Sequence, residues 1–202
     1  MNTLALPFIH IILIGLGATL TFDLWVLFLK HAFGIPPSNI CLVGRWLRTM
    51  PEGTFRHANI LSAPKKSAEC RVGWIAHYTI GVMFAIVFAV FVGNGWFQQP
   101  TPIPAISFGI VTVLAPFFIM QPSFGFGFAA AKTSNPTQAR VRSLMNHTAF
   151  GAGLYLLGVF KISYEMWHTT SVEQPTTQTG GTPCLQRQKP LNKSFKSSLN
   201  RC

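Results

Sequence analysis

The stretch Leu4–Leu29, LALPFIHIILIGLGATLTFDLWVLFL, decides how this chain folds. About twenty apolar residues in a row suffice to cross the hydrocarbon core of a bilayer as a helix. Lipid offers the backbone no hydrogen-bond partner, so such a segment satisfies its own N–H and C=O groups by coiling. One residue resists that solvent: Asp23, the only aspartate in the chain, lies inside the stretch. No basic segment precedes the apolar run and no small-residue cleavage pattern follows it, so it is expected to stay as a span.

Similar runs follow at Val72–Gly93, from Pro102 to Met120 or as far as Phe128, and at Ser143–Phe160. The composition agrees: 49% of the residues are hydrophobic and 10% charged, against about a quarter charged in a soluble domain. The predicted fold is an all-α membrane protein, a bundle of four transmembrane helices. Pro100, Pro102 and Pro104 sit where the third span begins, and proline is tolerated in a helix's first turn. Pro116 lies mid-span and predicts a kink. Trp74, Trp96, Phe97, Tyr164 and Trp167 stand near the ends of spans, where aromatic rings favour the membrane–water interface.

Charge sets the expected orientation. Loop one, Lys30 to Arg71, carries seven basic residues: Lys30, Arg45, Arg48, Arg56, Lys65, Lys66 and Arg71. Loop three adds Lys132, Arg140 and Arg142, whereas loop two, Asn94 to Thr101, has none. Cytoplasmic loops hold the excess of Lys and Arg, so loops one and three are expected in the cytoplasm and both termini outside. Arg187, Lys189, Lys193, Lys196 and Arg201 pull the other way, but they lie far beyond the last span, where charge counts little.

Within loop one, Ile40, Val43, Trp46, Leu47 and Met50 recur at helical spacing, after Pro36-Pro37 and a capping candidate, Ser38 or Asn39. This predicts a short interfacial helix over Asn39–Met50, on the cytoplasmic surface. Residues 1–168 then form the transmembrane domain. Residues 169–202, rich in Thr, Gln, Ser and Lys, are expected to be a disordered basic tail.

The formal charge of +11 does not point to nucleic acid. The basic residues flank apolar runs, as they do where a protein meets anionic headgroups, so the expected partner is the lipid bilayer. The four cysteines, Cys41, Cys70, Cys184 and Cys202, make no C-x-x-C pair, and they read as unpaired thiols in loops and tail.

An ionisable group within a span is costly, and it suggests function by default. Asp23, His77, Gln121 and His147 lie at similar depths near one membrane face, one in each span. Small residues four apart let membrane helices approach closely. Gly15, Thr19 and Asp23 form such a stripe; His77, Gly81, Ala85, Ala89 and Gly93 form a second; His147 and Gly151 begin a third. The polar layer is open to a structural hydrogen-bond network, a proton or ion relay, a metal site of two imidazoles and a carboxylate, or a histidine base. No H-E-x-x-H, nucleophile elbow or phosphate loop accompanies it, so neither catalysis nor a bound cofactor is expected.

Six segments carry a resemblance: GLGATLTFDLW (Gly15–Trp25), FGIP (Phe33–Pro36), LVGRW (Leu42–Trp46), GWIAHY (Gly73–Tyr78), VTVLAPFFIMQPSFGFG (Val111–Gly127) and RSLMNHTAFGAGLY (Arg142–Tyr155). Together they resemble a bacterial family of small inner-membrane proteins, the domain-of-unknown-function family DUF2938. The resemblance implies a bacterial inner-membrane protein and brings no activity with it. The tail after Tyr164 departs from the family pattern. A non-enzymatic accessory or structural role is the favoured expectation, and a small transporter or proton/ion-coupled permease is the alternative. Four short helices enclose little interior, so a path for a small molecule or ion would form more easily between protomers. A homodimer is therefore allowed.

Overall fold

The computed structural model describes residues 5–172. They form α1 (Ala5–Phe33), α2 (Cys41–Thr49), α3 (Glu69–Trp96), α4 (Pro102–Thr112), a π-helical turn (Pro116–Met120), the one-turn α5 (Gln121–Ser123) and α6 (Pro136–Val172). Two 3₁₀ turns, Met50–Glu52 and Phe128–Ala130, complete the helical segments. No strand occurs among the described residues.

Three segments are long and apolar enough to cross a membrane: Phe8–Phe33, Glu69–Trp96 and Pro102–Ser123, with mean hydropathies of 2.1, 2.2 and 2.2. Large apolar side chains stay exposed along them, among them Leu13, Leu20, Leu24, Met83, Val90, Phe91, Val111 and Ile119. Such a surface suits lipid and not water. The expected fourth span lies inside α6, and α6 is not among those three helices. Asn146, His147 and Thr148 interrupt its apolar run. The tail expected from residue 169 lies outside the described residues, apart from the last turn of α6.

α1 packs against both α3 and α6, and α4 packs against α6 and touches α3 through Phe108 against Phe88. Glycines set these distances. A Cβ on Gly15 would stand 2.8 Å from the Val82 Cα, and one on Gly153 would stand 2.8 Å from the Ala18 Cα. Gly109 and Gly151 bring α4 and α6 together in the same way. The shared core holds Ile14, Ala18, Ala85, Phe88, Trp96, Ala105, Phe150 and Leu154. Trp96 belongs to it and is no interfacial anchor: its ring lies 4.8 Å from Phe88 and its Nε1–H donates to the Thr101 carbonyl. α3 breaks just before, at Gly93, where φ is 67° and ψ is 178°. Glycine visits that region without a Cβ penalty. Gly93 therefore turns the chain and does not extend the packing stripe.

The third span is one helical stretch, Pro102–Ser123, whose α-helical hydrogen bonding gives way to a π turn at Pro116. Proline supplies no N–H to the helix, and the α-helix stops at Thr112 before the π turn begins at Pro116.

Loop one is a folded unit. Asn39 Oδ1 accepts the Cys41 N–H at 3.1 Å where α2 begins. α2 docks on the start of α3. A Cβ on Gly44 would fall 1.7 Å from the Glu69 carbonyl oxygen, and one on Gly73 would fall 2.2 Å from that of Ile40. Leu42 and Val43 pack with Ile60 and Phe124 in a second core. The segment beyond α2 is tied to the end of the third span through His57 N–H to the Ser123 carbonyl and Ile60 N–H to that of Phe124, at 2.8 and 3.0 Å.

This docking corrects the expectation of free thiols. Cys41 and Cys70 form a disulfide, with Cα atoms 4.0 Å apart. The glycine contact between α2 and α3 brings the two residues together across 29 positions of sequence. In the chain-entropy account, closing a loop of that size stabilises by roughly 3–4 kcal/mol. Cys184 and Cys202 lie outside the described residues.

Candidate functional site

Two antiparallel helices build the site residue by residue. Gly15 meets Ala85, Thr19 meets Gly81, and Asp23 meets His77. Each step of four along α1 is matched by a step of four back along α3. A Cβ on Gly81 would lie 1.9 Å from the Thr19 hydroxyl oxygen, so the helices touch there. Thr19 turns its hydroxyl back to the Gly15 carbonyl at 2.8 Å. One turn further on, the pair becomes polar. Ala89 continues the α3 stripe in the other direction, half-buried.

His77 Nε2 lies 2.9 Å from Asp23 Oδ1, and the Tyr78 hydroxyl donates to Asp23 Oδ2 at 3.0 Å. Each carboxylate oxygen thus has one partner on α3. The Asp23 and His77 side chains are 21% and 18% exposed. Trp74 and Phe22 cover the imidazole edge-on, with ring centroids 5.8 and 5.3 Å away.

His147 belongs to a second group. The Thr112 hydroxyl donates to the Gly109 carbonyl at 2.6 Å and lies 2.8 Å from His147 Nδ1. One hydroxyl has one proton, so His147 Nδ1 carries a hydrogen and donates to Thr112. The Phe22 ring stands edge-on to His147 at 5.9 Å as well as to His77. An apolar ring thus touches both imidazoles, and no hydrogen bond joins the two groups. Gln121 stands apart: it is buried at 8% exposure, and its Oε1 has no hydrogen-bond partner. The structure therefore brings Asp23 and His77 together, sets His147 beside them across Phe22, and bonds Gln121 to none of them.

The basic residues also divide. Arg48 and Arg56 are exposed, and Arg140, exposed too, donates Nε–H to the Ala129 carbonyl at 2.8 Å. Arg142 ties α6 to loop one through the Pro36 carbonyl at 2.9 Å. Arg45 is different, because it is buried in an ion pair with Glu69. Those hydrogen bonds hold its guanidinium above the ordinary value, against the pull of desolvation. Among the described residues, no three His, Cys, Asp or Glu side chains group closely enough to hold a metal ion.

Tyr78, Thr112 and Phe22 complete the two groups and were not among the expected site residues. A signal for Tyr78 exists: it follows His77 directly, and two neighbours on one helix can reach opposite oxygens of one carboxylate. Thr112 and Phe22 read as ordinary span residues until the helices are paired.

Residues 12–161, well over half of the chain, match the family model described as "Protein of unknown function (DUF2938)". No curated protein and no solved structure matches the chain.

Proposed function

The chain belongs to this family of unknown function, DUF2938, and from that premise we propose that it is a non-enzymatic membrane protein whose Asp23 group clasps the first two spans. The observation that carries this is the two-point hold on Asp23. His77 and Tyr78 on the second span each engage one oxygen of the carboxylate on the first, which fixes Asp23 between the two helices. The apolar Phe22 ring, in contact with both imidazoles, favours a structural cluster over a relay.

In this proposal the apolar centre of α6 is the fourth span, and loops one and three face the cytoplasm of a bacterial inner membrane. The exposed Arg48, Arg56 and Arg140 then meet anionic headgroups, each worth on the order of 1 kcal/mol near the surface. α2 lies at that surface. A second copy of the chain remains the partner the bundle allows. A reporter active only outside the cytoplasm, inserted in loop two, is expected to be active; an inactive loop-two reporter paired with an active loop-one reporter would reverse the orientation.

A proton-coupled permease is the second reading, and one observation favours it: a carboxylate and an imidazole in direct contact inside a candidate span. Proteoliposomes separate the two. The clasp predicts that a pH gradient decays no faster with the protein than without it. It also predicts that Asp23→Asn lowers the melting temperature by roughly 1–4 °C, as expected from interhelical hydrogen bonds averaging about 0.6 kcal/mol. A proton flux that Asp23→Asn and His77→Ala abolish, with melting unchanged, would replace the clasp by the permease.

A further inference from the structure

The Cys41–Cys70 bond is not absorbed by the polar clasp, and its surroundings say what it does. Cys41 is the first residue of α2, and Cys70 is the second of α3. Both sulfurs thus stand at helix N-termini, where the exposed N–H ends of the helix favour negative charge. A thiolate is stabilised there, and cationic neighbours add to the effect. Arg71 follows Cys70 directly, and Lys65 lies just ahead of the helix. The nearest acid, Glu69, is already spent on Arg45. Conditions that favour thiolates stabilise the reduced form, and a disulfide whose reduced form is stabilised is readily opened. Cys70 is exposed and Cys41 half-buried, so an attacking thiol can reach the bond.

The bond is also dispensable for position. The Gly44–Gly73 contact and the Arg45–Glu69 pair hold α2 on α3 independently of it. The two sulfurs therefore stay close after reduction, and the bond can reform.

We propose that Cys41 and Cys70 are a reversible thiol–disulfide pair that exchanges with small-molecule thiols and disulfides. On closing, the Cys70 thiolate attacks one sulfur of a small disulfide and expels a small thiol. The Cys41 thiolate then attacks the Cys70 sulfur of the mixed disulfide and expels the second. Two protein thiols and one small disulfide become one protein disulfide and two small thiols. Opening is the reverse. The role as a responsive pair rests on the cytoplasmic placement of loop one proposed above, because cytosolic disulfides are usually transient or sensing.

The test uses the full-length protein in lipid nanodiscs with Cys184→Ser and Cys202→Ser. It is equilibrated with mixtures of reduced and oxidised glutathione, quenched in acid, and labelled at free thiols with a maleimide that shifts its mass. The expected result is a passage from fully bonded to fully reduced across those mixtures, with helix content unchanged. Arg71→Gln is expected to move the midpoint toward the bonded form. A bond that survives in reduced glutathione alone, or thiols that never pair, would overturn the proposal. Sidedness is read separately. A membrane-impermeant maleimide applied to spheroplasts expressing the further variant Cys41→Ser is expected to label Cys70 only after permeabilisation. Labelling from outside would refute the orientation, while the glutathione titration still decides whether the bond exchanges.

Discussion

Arg45→Ala is expected to destabilise the protein by about 3–5 kcal/mol, the usual penalty for removing one partner of a buried ion pair. The pair is a fork. Arg45 Nε and Nη2 donate to the two oxygens of Glu69 at 2.8 and 2.9 Å, and the side chains are 6% and 10% exposed. Nη1 also serves the carbonyls of Ile60 and Ala63 at 3.0 and 3.1 Å. Alanine at this position leaves the desolvated Glu69 carboxylate with the Lys66 N–H alone and takes the guanidinium donor from the Ala63 carbonyl, while the Ile60 carbonyl keeps the Ala63 N–H. Lysine does not rescue it, because a point charge cannot make two parallel bonds. Arg45→Met combined with Glu69→Met removes both charges and is expected to cost only ~1–3 kcal/mol, mostly for the donor lost to the Ala63 carbonyl. Thermal melts in detergent measure the difference. Trypsin locates it, since loosening loop one frees the backbone around the already accessible Lys65 and Lys66 to enter the protease. An Arg45→Ala variant as stable as the double variant would mean that Glu69 finds water, and that loop one is not the packed unit described here.

The second large effect is expected at Gly109, where α4 and α6 meet backbone to backbone. A Cβ there would lie 2.6 Å from both the Gly151 Cα and the His147 carbonyl oxygen. Neither atom can move without moving a helix. Gly109→Val is therefore expected to cost more than the ~1–3 kcal/mol typical of overpacking, and to separate His147 from Thr112. Gly95→Ala is the control, because a Cβ at Gly95 meets nothing within 4 Å. It should leave the melting temperature within about 1 °C, as an uncrowded surface substitution does. Equal effects at the two glycines would contradict the close approach of α4 and α6.

The register of the first two spans was legible because a helix repeats. Residues four apart share a face, so the stripe Gly15, Thr19, Asp23 and the stripe His77, Gly81, Ala85 could be written down before either helix had a partner. The antiparallel pairing then follows because consecutive spans cross a bilayer in opposite directions. The distance of each polar residue from its span end was legible too. Contact was not. His147 shares the depth of His77, yet helix rotation gives it Thr112 as its partner, and Phe22 fills the space beside both rings. Gln121 follows a π turn, and α-helical spacing does not carry a face through a turn of different pitch. Loop one poses the same difficulty. Arg45 lies off the apolar face of α2, as its spacing says, and that other side is the one that docks on α3. The cysteines pair through the same docking, across a separation of 29 residues that no spacing rule could connect.

The central claim is that Asp23 and His77 act on each other as a clasp between two spans. A double-mutant cycle with Asp23→Asn and His77→Gln, followed by reversible unfolding in bicelles, measures that directly. The clasp predicts a coupling between the two substitutions of about 0.6 kcal/mol, and up to roughly 1.7. Substitution effects that simply add, with no coupling, would contradict it.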